Sequence, residues 1–209
     1  MPFETPKTQY ETTVQNQYFC FITGYDENGK PQYEEKVYES DVVTNIKSTK
    51  TAPSKEIYAS GKMYDQLMKR KNTVIELTAL GMPRVVYDKA SGDVREGAFS
   101  FEPTSPKRVH FAYGFAKELD DGTKAFRWYP DCILGNFDDE SKTETADLNE
   151  PSATYSITAL PYKDSCKTDY YQSDVAEGET PLTAEQFFAQ PIICKEDIPA
   201  NADAPTNAD

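Results

Sequence analysis

The sequence predicts a mainly β protein: a β-sandwich or partly closed barrel with one short flanking helix, a long interaction loop and flexible termini. Three observations lead there. The stretch 107–132, KRVHFAYGFAKELDDGTKAFRWYPDC, carries Phe111, Tyr113 and Phe115 at alternate positions, then Phe126 and Trp128, with a short acidic turn between the two runs. Successive side chains of a strand point to opposite faces, so aromatics at period two read as the two strands of a hairpin. The second observation is TVIELTAL at 73–80, dense in β-branched residues and ended by Gly81 and Pro83. The third is ATYSITALP at 153–161, where Ala153, Tyr155, Ile157 and Ala159 alternate with Thr154, Ser156 and Thr158, the pattern of a strand with one buried face.

Taken in order, residues 1–16 are polar, offer no core face and read as an amino-terminal arm. QYFCFIT at 17–23 is an aromatic strand, Asn28 and Gly29 mark a turn, and YEEKVYESDVV at 33–43 supplies a second strand. From 44 to 72 the chain turns polar and basic, with STKTAPSK as loop chemistry. It reads as an extended interaction loop, a flexible solvent loop being the equal alternative. Within it, YDQLMKRK at 64–71 has the residues for one or two helical turns.

Past the 73–80 strand, 84–87 reads as another short strand, ASGDVREG at 90–97 as a turn and 98–101 as extended chain. Asp121 and Gly122 suit a tight hairpin turn whose two central residues take positive φ. An acidic loop, DDESKTETADLNE, then precedes the 153–161 strand, and 163–178 is polar. PLTAEQFFAQ at 181–190 is the one helical segment: Thr183 and Gln186 have capping-box spacing, Pro191 closes it, and Phe187 and Phe188 are its docking residues. The tail 199–209 is rich in Pro, Asn, Asp and Ala, a composition that does not bury a core. The body, 17–198, is then a single domain of seven or eight strands.

The net charge of -13 is concentrated in two places. Residues 164–209 hold ten acids against Lys167 and Lys195, and residues 134–150 hold six, including Asp138, Asp139, Glu140, Glu144 and Asp147, against Lys142. Residues 47–72 are the reverse, with Lys47, Lys50, Lys55, Lys62, Lys69, Arg70 and Lys71 against Glu56 and Asp65. An acidic chain is a poor general binder of nucleic acid, which is held by releasing counterions from its phosphates. No apolar run is long enough to span a membrane, and the amino terminus lacks the basic and apolar regions of a secretory signal, so a soluble compartment is expected. Cys20, Cys132, Cys166 and Cys194 are far apart, and His110 is the sole imidazole. They read as reduced structural thiols rather than a disulfide framework or zinc site.

Catalysis finds no support in the motifs. The chain has no G-x-S-x-G, no glycine-rich phosphate loop and no H-E-x-x-H. His110, between Val109 and Phe111, reads as a packed strand residue rather than a general base. The adjacent pairs Asp120–Asp121 and Asp138–Asp139 are explained by turn chemistry. The expectation is a protein that is not an enzyme and takes no cofactor or metal.

The order of these segments resembles the major tail proteins, or tail tube proteins, of long-tailed phages that infect Gram-positive bacteria. The residues that carry it are the amino-terminal hairpin, the long polar loop, TVIELTAL, the pair VHFAYGFAKELDDGTKAFRWYP and SATYSITALP. The likeness covers roughly 17–162, with the capped helix near 183 also in a familiar place. One departure is that the family usually has a helix between the TVIELTAL-type strand and the hairpin, where Met82 to Pro106 here reads as turns and short extended pieces.

The resemblance implies a subunit of hexameric rings, stacked into a hollow tube that conducts double-stranded DNA without sequence-specific binding. It also implies assembly in the host bacterial cytoplasm, a place in the virion, and a tape measure protein with tail terminator or baseplate proteins as partners. On this reading Lys47, Lys50, Lys55, Lys62, Lys69, Arg70 and Lys71 meet Asp138, Asp139, Glu140, Glu144 and Asp147 of a neighbour. Phe111, Tyr113, Phe115, Phe126, Trp128, Tyr155 and Ile157 serve the sheet core or subunit packing. Two alternatives stay open: a carbohydrate-binding or adhesin-like β-sandwich, in which exposed Tyr and Trp128 stack on a ligand, and an inner-tube protein of a contractile secretion system.

Overall fold

The computed structural model describes residues 8–51, 54–59, 62–68, 72–135, 152–162 and 166–199. Its strands are β1 (Glu11–Tyr25), β2 (Pro31–Ser40), β3 (Val43–Thr51), β4 (Ser54–Ala59), β5 (Lys62–Met68) and β6 (Asn72–Ala79), followed by helix α1 (Arg84–Ser91). Then come β7 (Val94–Glu96), β8 (Phe99–Phe101), β9 (Phe111–Leu119), β10 (Lys124–Leu134), β11 (Ala153–Ala159), β12 (Thr168–Tyr171) and helix α2 (Ala184–Phe187).

One antiparallel sheet runs β2-β1-β9-β10-β11-β6-β3, with β12 added to β10. β2 and β3 sit at opposite ends of that path, yet only Asp41 and Val42 separate them in the chain. The sheet must therefore curl until β3 comes round beside β1. β2 leaves β1 at the Gln17↔Ser40 pair, and after the two-residue link β3 pairs with β6 from Val43↔Ala79 onward. The result is the mainly β, partly closed barrel expected from the alternation. A seam remains, because β1 from Glu11 to Asn16 has β9 on one side and no ladder partner on the other among the described residues.

Alternation decides what fills this barrel. Phe111, Tyr113 and Phe115 of β9, Phe19 and Phe21 of β1, Ile75 and Leu77 of β6, and Tyr155 and Ile157 of β11 form one buried cluster. Each such side chain taken fully from water contributes about 1.5–3 kcal/mol. Val86 and Ala90 of α1 join it, so the helix plugs the barrel. Burial pushes the Tyr113 hydroxyl well above the usual tyrosine range, and it donates to Gln17 Oε1 at 3.3 Å, while Gln17 Nε2 donates to Ser40 Oγ at 3.3 Å. A buried polar group needs such a partner, and this chain of bonds sits where β2 departs from β1.

The outer face of the same hairpin is also covered. Ala112, Ala116, Phe126 and Trp128 pack under Leu182, Phe187, Phe188 and Ile192 of the carboxy-terminal segment. Thr183 caps α2 as expected, with the Gln186 N–H donating to Thr183 Oγ1 at 3.3 Å and the Thr183 N–H to Gln186 Oε1 at 3.0 Å. Phe187 and Phe188 dock as their sequence context suggests. Trp128 Nε1 donates to the Phe187 carbonyl at 3.2 Å. Gly114 lies opposite Trp128, where a Cβ would come 2.7 Å from Trp128 Cε3 and 2.9 Å from Phe188 Cε1.

Several expectations are corrected. Residues 84–87 are not a strand but the start of α1, preceded by Pro83 and closed by Gly92 at φ 85°, so this stretch does hold a helix. The 44–72 segment is not an irregular loop, since it holds β3 and a β4–β5 hairpin, and where helical turns were expected at 64–71 the residues through Met68 belong to β5, the rest lying outside the described residues. The polar stretch after 163 contains β12. The arm is shorter, because β1 starts at Glu11. The β9–β10 turn is a three-residue loop: the Leu119 carbonyl accepts from the Gly122 N–H at 3.0 Å, the Leu119 N–H donates to the Thr123 carbonyl at 2.9 Å, and Gly122 has φ 78°. The Asp26–Lys30 turn repeats this with Gly29 at φ 74°. Twelve strands and two α-helices are described, against seven or eight and one expected. The tail from 200 onward lies outside the described residues.

Replacing Gly114 by Ala places a methyl against two rings that are already packed. We expect a loss of about 1–3 kcal/mol in urea unfolding; an unchanged midpoint would show that the Trp128–Phe188 contact yields freely.

Candidate assembly surface

The basic residues start on β3. Its ladder is with β6 alone, so its other edge is free of strand partners among the described residues. Lys47 and Lys50 are exposed there. Lys47 already has a partner in its own chain, Glu76 Oε2 at 3.1 Å across the ladder; with both groups well exposed the pair is worth about 1 kcal/mol or less. Lys55 lies in β4, and Lys62 opens β5 in an exposed position. Lys69, Arg70 and Lys71 lie outside the described residues, and so do Asp138, Asp139, Glu140, Glu144 and Asp147.

What the ladders do fix is where these charged segments leave the body. In the neighbouring strands β3, β6 and β11, Val43, Ala79 and Ala153 align at one end, and Thr51 with Asn72 and Ala159 with Thr73 at the other. The basic β4–β5 excursion departs between Thr51 and Asn72. The acidic connection departs from β10 past Leu134, which pairs with Ile157, and returns at Ala153. The two are anchored at opposite ends of these strands.

Each end also carries apolar surface. On β4, Ile57 and Tyr58 are 36% and 64% exposed. On the short β7–β8 ribbon, Val94, Phe99 and Phe101 are 59%, 68% and 52% exposed. Sequence reasoning passed over these residues; their only signal was the alternation in FSF at 99–101.

By contrast, Phe111, Tyr113, Phe115, Phe126, Trp128, Tyr155 and Ile157 are all buried within this chain. Trp128 therefore offers no platform to a ligand. A cleft of about 420 Å³ lies over β1 and β2 beside α2. The Tyr18 ring there is stacked on Phe188 at 3.8 Å, and its hydroxyl donates to Glu39 Oε1 at 3.1 Å.

The remaining polar clusters are structural in their contacts. His110 sits just before β9, with Nδ1 2.7 Å from Asp131 Oδ1 and 3.1 Å from the Tyr25 hydroxyl. Burial and then the Asp131 charge push the Tyr25 hydroxyl up to about 12, so it stays protonated as a donor to Asp131. Burial likewise pushes the Cys132 thiol well above its usual value, which keeps it from acting as a thiolate. All four cysteines are free. Beside β12, Arg127 Nε donates to Asp169 Oδ1 at 2.5 Å, Lys167 also holds Asp169, and Lys117 pairs with Glu11. No group of three or more metal-ligating side chains occurs among the described residues, and no described helix is long and apolar enough to cross a membrane.

No protein-family model matches this chain, and no curated protein is significantly similar to it.

Burial works to raise the Asp169 carboxyl, but hydrogen bonds from Arg127 and Lys167 outweigh it and hold it below its ordinary value of 3.8. Its contribution is thus complete above that value and lost as pH falls through the lower, folded one. The stability gap between the native chain and Asp169→Asn, followed by chemical denaturation, should be constant near neutrality and close below pH 3.8. A gap that persists unchanged into acid would remove the ion cluster as its source.

Proposed function

We propose that this chain is a structural subunit that assembles head to tail with copies of itself into stacked rings, and that the stack is the tail tube of a long-tailed phage. The observation that carries this is the polarity of the body: the 52–71 excursion, with five basic residues against two acids in its sequence, leaves from the Thr51–Asn72 end, and an acidic connection is anchored at the Leu134–Ala153 end. Stacked head to tail, one copy sets its 52–71 excursion against the acidic connection of the next. Consecutive copies related by a heterologous contact do so at every step, and such a contact closes into rings or extends into a stack.

Two further features support it. Among the described residues the β4–β5 hairpin forms a two-stranded sheet of its own, and a lone two-stranded ribbon is marginal in water, so it gains stability on a neighbour. β1 and β3 come near each other at the seam without forming a ladder among the described residues, and the unpaired backbone groups left there, on the outer edge of β3 and the 11–16 edge of β1, are suited to a strand inserted from an adjacent subunit. Within a ring of about six copies these edges join sheets, and the charged ends set register and rate between rings. The charge of -13 keeps the bore from adhering to DNA phosphates as they pass. Tape measure and terminator or baseplate proteins are its partners in the virion, and assembly takes place in the bacterial cytoplasm.

Because Thr51 pairs directly with Asn72, residues 52–71 can be replaced by a short Gly-Ser turn with β3 and β6 left intact. That variant should keep the native urea midpoint while its assembled fraction at low salt, read by sedimentation, falls about tenfold or more. Undiminished assembly would sink the role given to the excursion.

A further inference from the structure

The cleft of about 420 Å³ beside α2 opens on the outer face of the sheet, away from the charged strand ends. Tyr18 of β1, Val37 of β2, Ala116 of β9 and Phe188 just past α2 give it an apolar floor. That floor is fixed in place: the Tyr18 and Phe188 rings stack at 3.8 Å and 12°, and Tyr18, Ala116 and Phe188 are all buried. Small-molecule sites occupy about 300–1,000 Å³ and pair such a lining with a few placed polar groups.

The placed groups here are carboxylates from two different elements, Glu39 of β2 and Glu185 in the first turn of α2. Both are exposed to solvent. Glu39 Oε1 is occupied, accepting from Asn16 Nδ2 at 2.5 Å and from the Tyr18 hydroxyl at 3.1 Å. Glu39 Oε2 and the Glu185 carboxylate have no hydrogen-bond or ion-pair partner among the described residues. The two acids act on one phenol: burial first, then the charge of Glu39 and more weakly that of Glu185, push the Tyr18 hydroxyl up to about 12. Lys124 of β10 is the one basic group in the lining.

This chemistry selects its ligand. Two carboxylates are too few for a bare metal ion such as Ca²⁺, which takes about 6–8 oxygens, and no group of three or more metal-ligating side chains occurs among the described residues. An anion is repelled by Glu39 and Glu185. An organic cation with a hydrocarbon segment satisfies both features, since methylenes cover apolar surface while charged ends form the stronger, charge-assisted hydrogen bonds. We propose that this cleft binds a short aliphatic diamine, whose two ammonium groups pair with Glu39 and Glu185 while its methylenes lie on Tyr18, Val37 and Phe188. Lys124 opposes a third positive charge, which favours a diamine over a longer polyamine. By bridging β2 and α2 the ligand ties the carboxy-terminal segment to the first hairpin. The site is independent of the head-to-tail reading, which uses the strand ends and not this face.

The test is equilibrium dialysis of the full chain against radiolabelled 1,4-diaminobutane at neutral pH and fixed ionic strength. One diamine per chain should bind saturably, with a dissociation constant on the order of 1 mM or tighter. 1-Aminobutane, which keeps the hydrocarbon but has one charge, should compete about tenfold less well. Glu185→Gln should weaken diamine binding about fivefold to tenfold while keeping the native urea midpoint. A chain of charge -13 attracts any cation, so uptake that never saturates, or that Mg²⁺ displaces as well as the unlabelled diamine does, is counterion association and overturns the site. Saturable binding that Glu185→Gln leaves unchanged overturns it as well.

Discussion

A hairpin buried on both faces needs two separate covers, and the β9–β10 pair dictates where each comes from. Its inner face, Phe111, Tyr113 and Phe115, is covered by curling the sheet until β6 and β11 close over it, with α1 as a plug. Its outer face, Ala112, Gly114, Ala116, Phe126 and Trp128, is covered by the carboxy-terminal strap. The small residues make this possible: with no side chain at Gly114, Trp128 and Phe188 can close over the strand. The strap is tied down at fixed points, with Thr168 Oγ1 donating to the Ile192 carbonyl at 2.7 Å and the Leu182 N–H to the Tyr170 hydroxyl at 2.8 Å.

Satisfying the hairpin in this way uses most of the chain's large apolar residues inward. Among the described residues, Ile57, Tyr58, Val94, Phe99 and Phe101 remain outside on the two small ribbons, and others, such as Tyr10, Leu80, Val85 and Ile198, are scattered elsewhere. A subunit meant to stay single would be expected to blunt free strand edges and bury such rings. The opposite anchoring of the basic and acidic segments follows from the same topology, because β3 and β10 reach their ends at opposite sides of the β6–β11 pair. Polarity of charge is thus a consequence of strand order, not of composition alone.

Where burial is one-sided or two-sided and regular, the sequence announces it. The alternation in β6 and β11, the aromatic hairpin and the Thr183–Gln186 cap were legible because each is a local pattern with a physical period. β4 and β5 were not, since polar strands such as SKEIYA with no core to face carry no alternation. α1 escaped because Val85 and Val86 look β-branched and the helix spans only Arg84–Ser91. Its signal was present in Pro83 just before it and Gly92 just after. The exposed ribbon of Phe99 and Phe101 was missed for a different reason: a sequence gives the residue but not which side of a three-residue strand is left uncovered.

Electron cryo-microscopy of the concentrated, unmodified protein tests the central claim most directly. The account predicts hollow ring stacks of a single polarity, in which the Thr51–Asn72 end of each subunit abuts the Leu134–Ala153 end of the next. Monomers at every concentration and salt, or contacts related by a two-fold axis that bring like ends together, would contradict it.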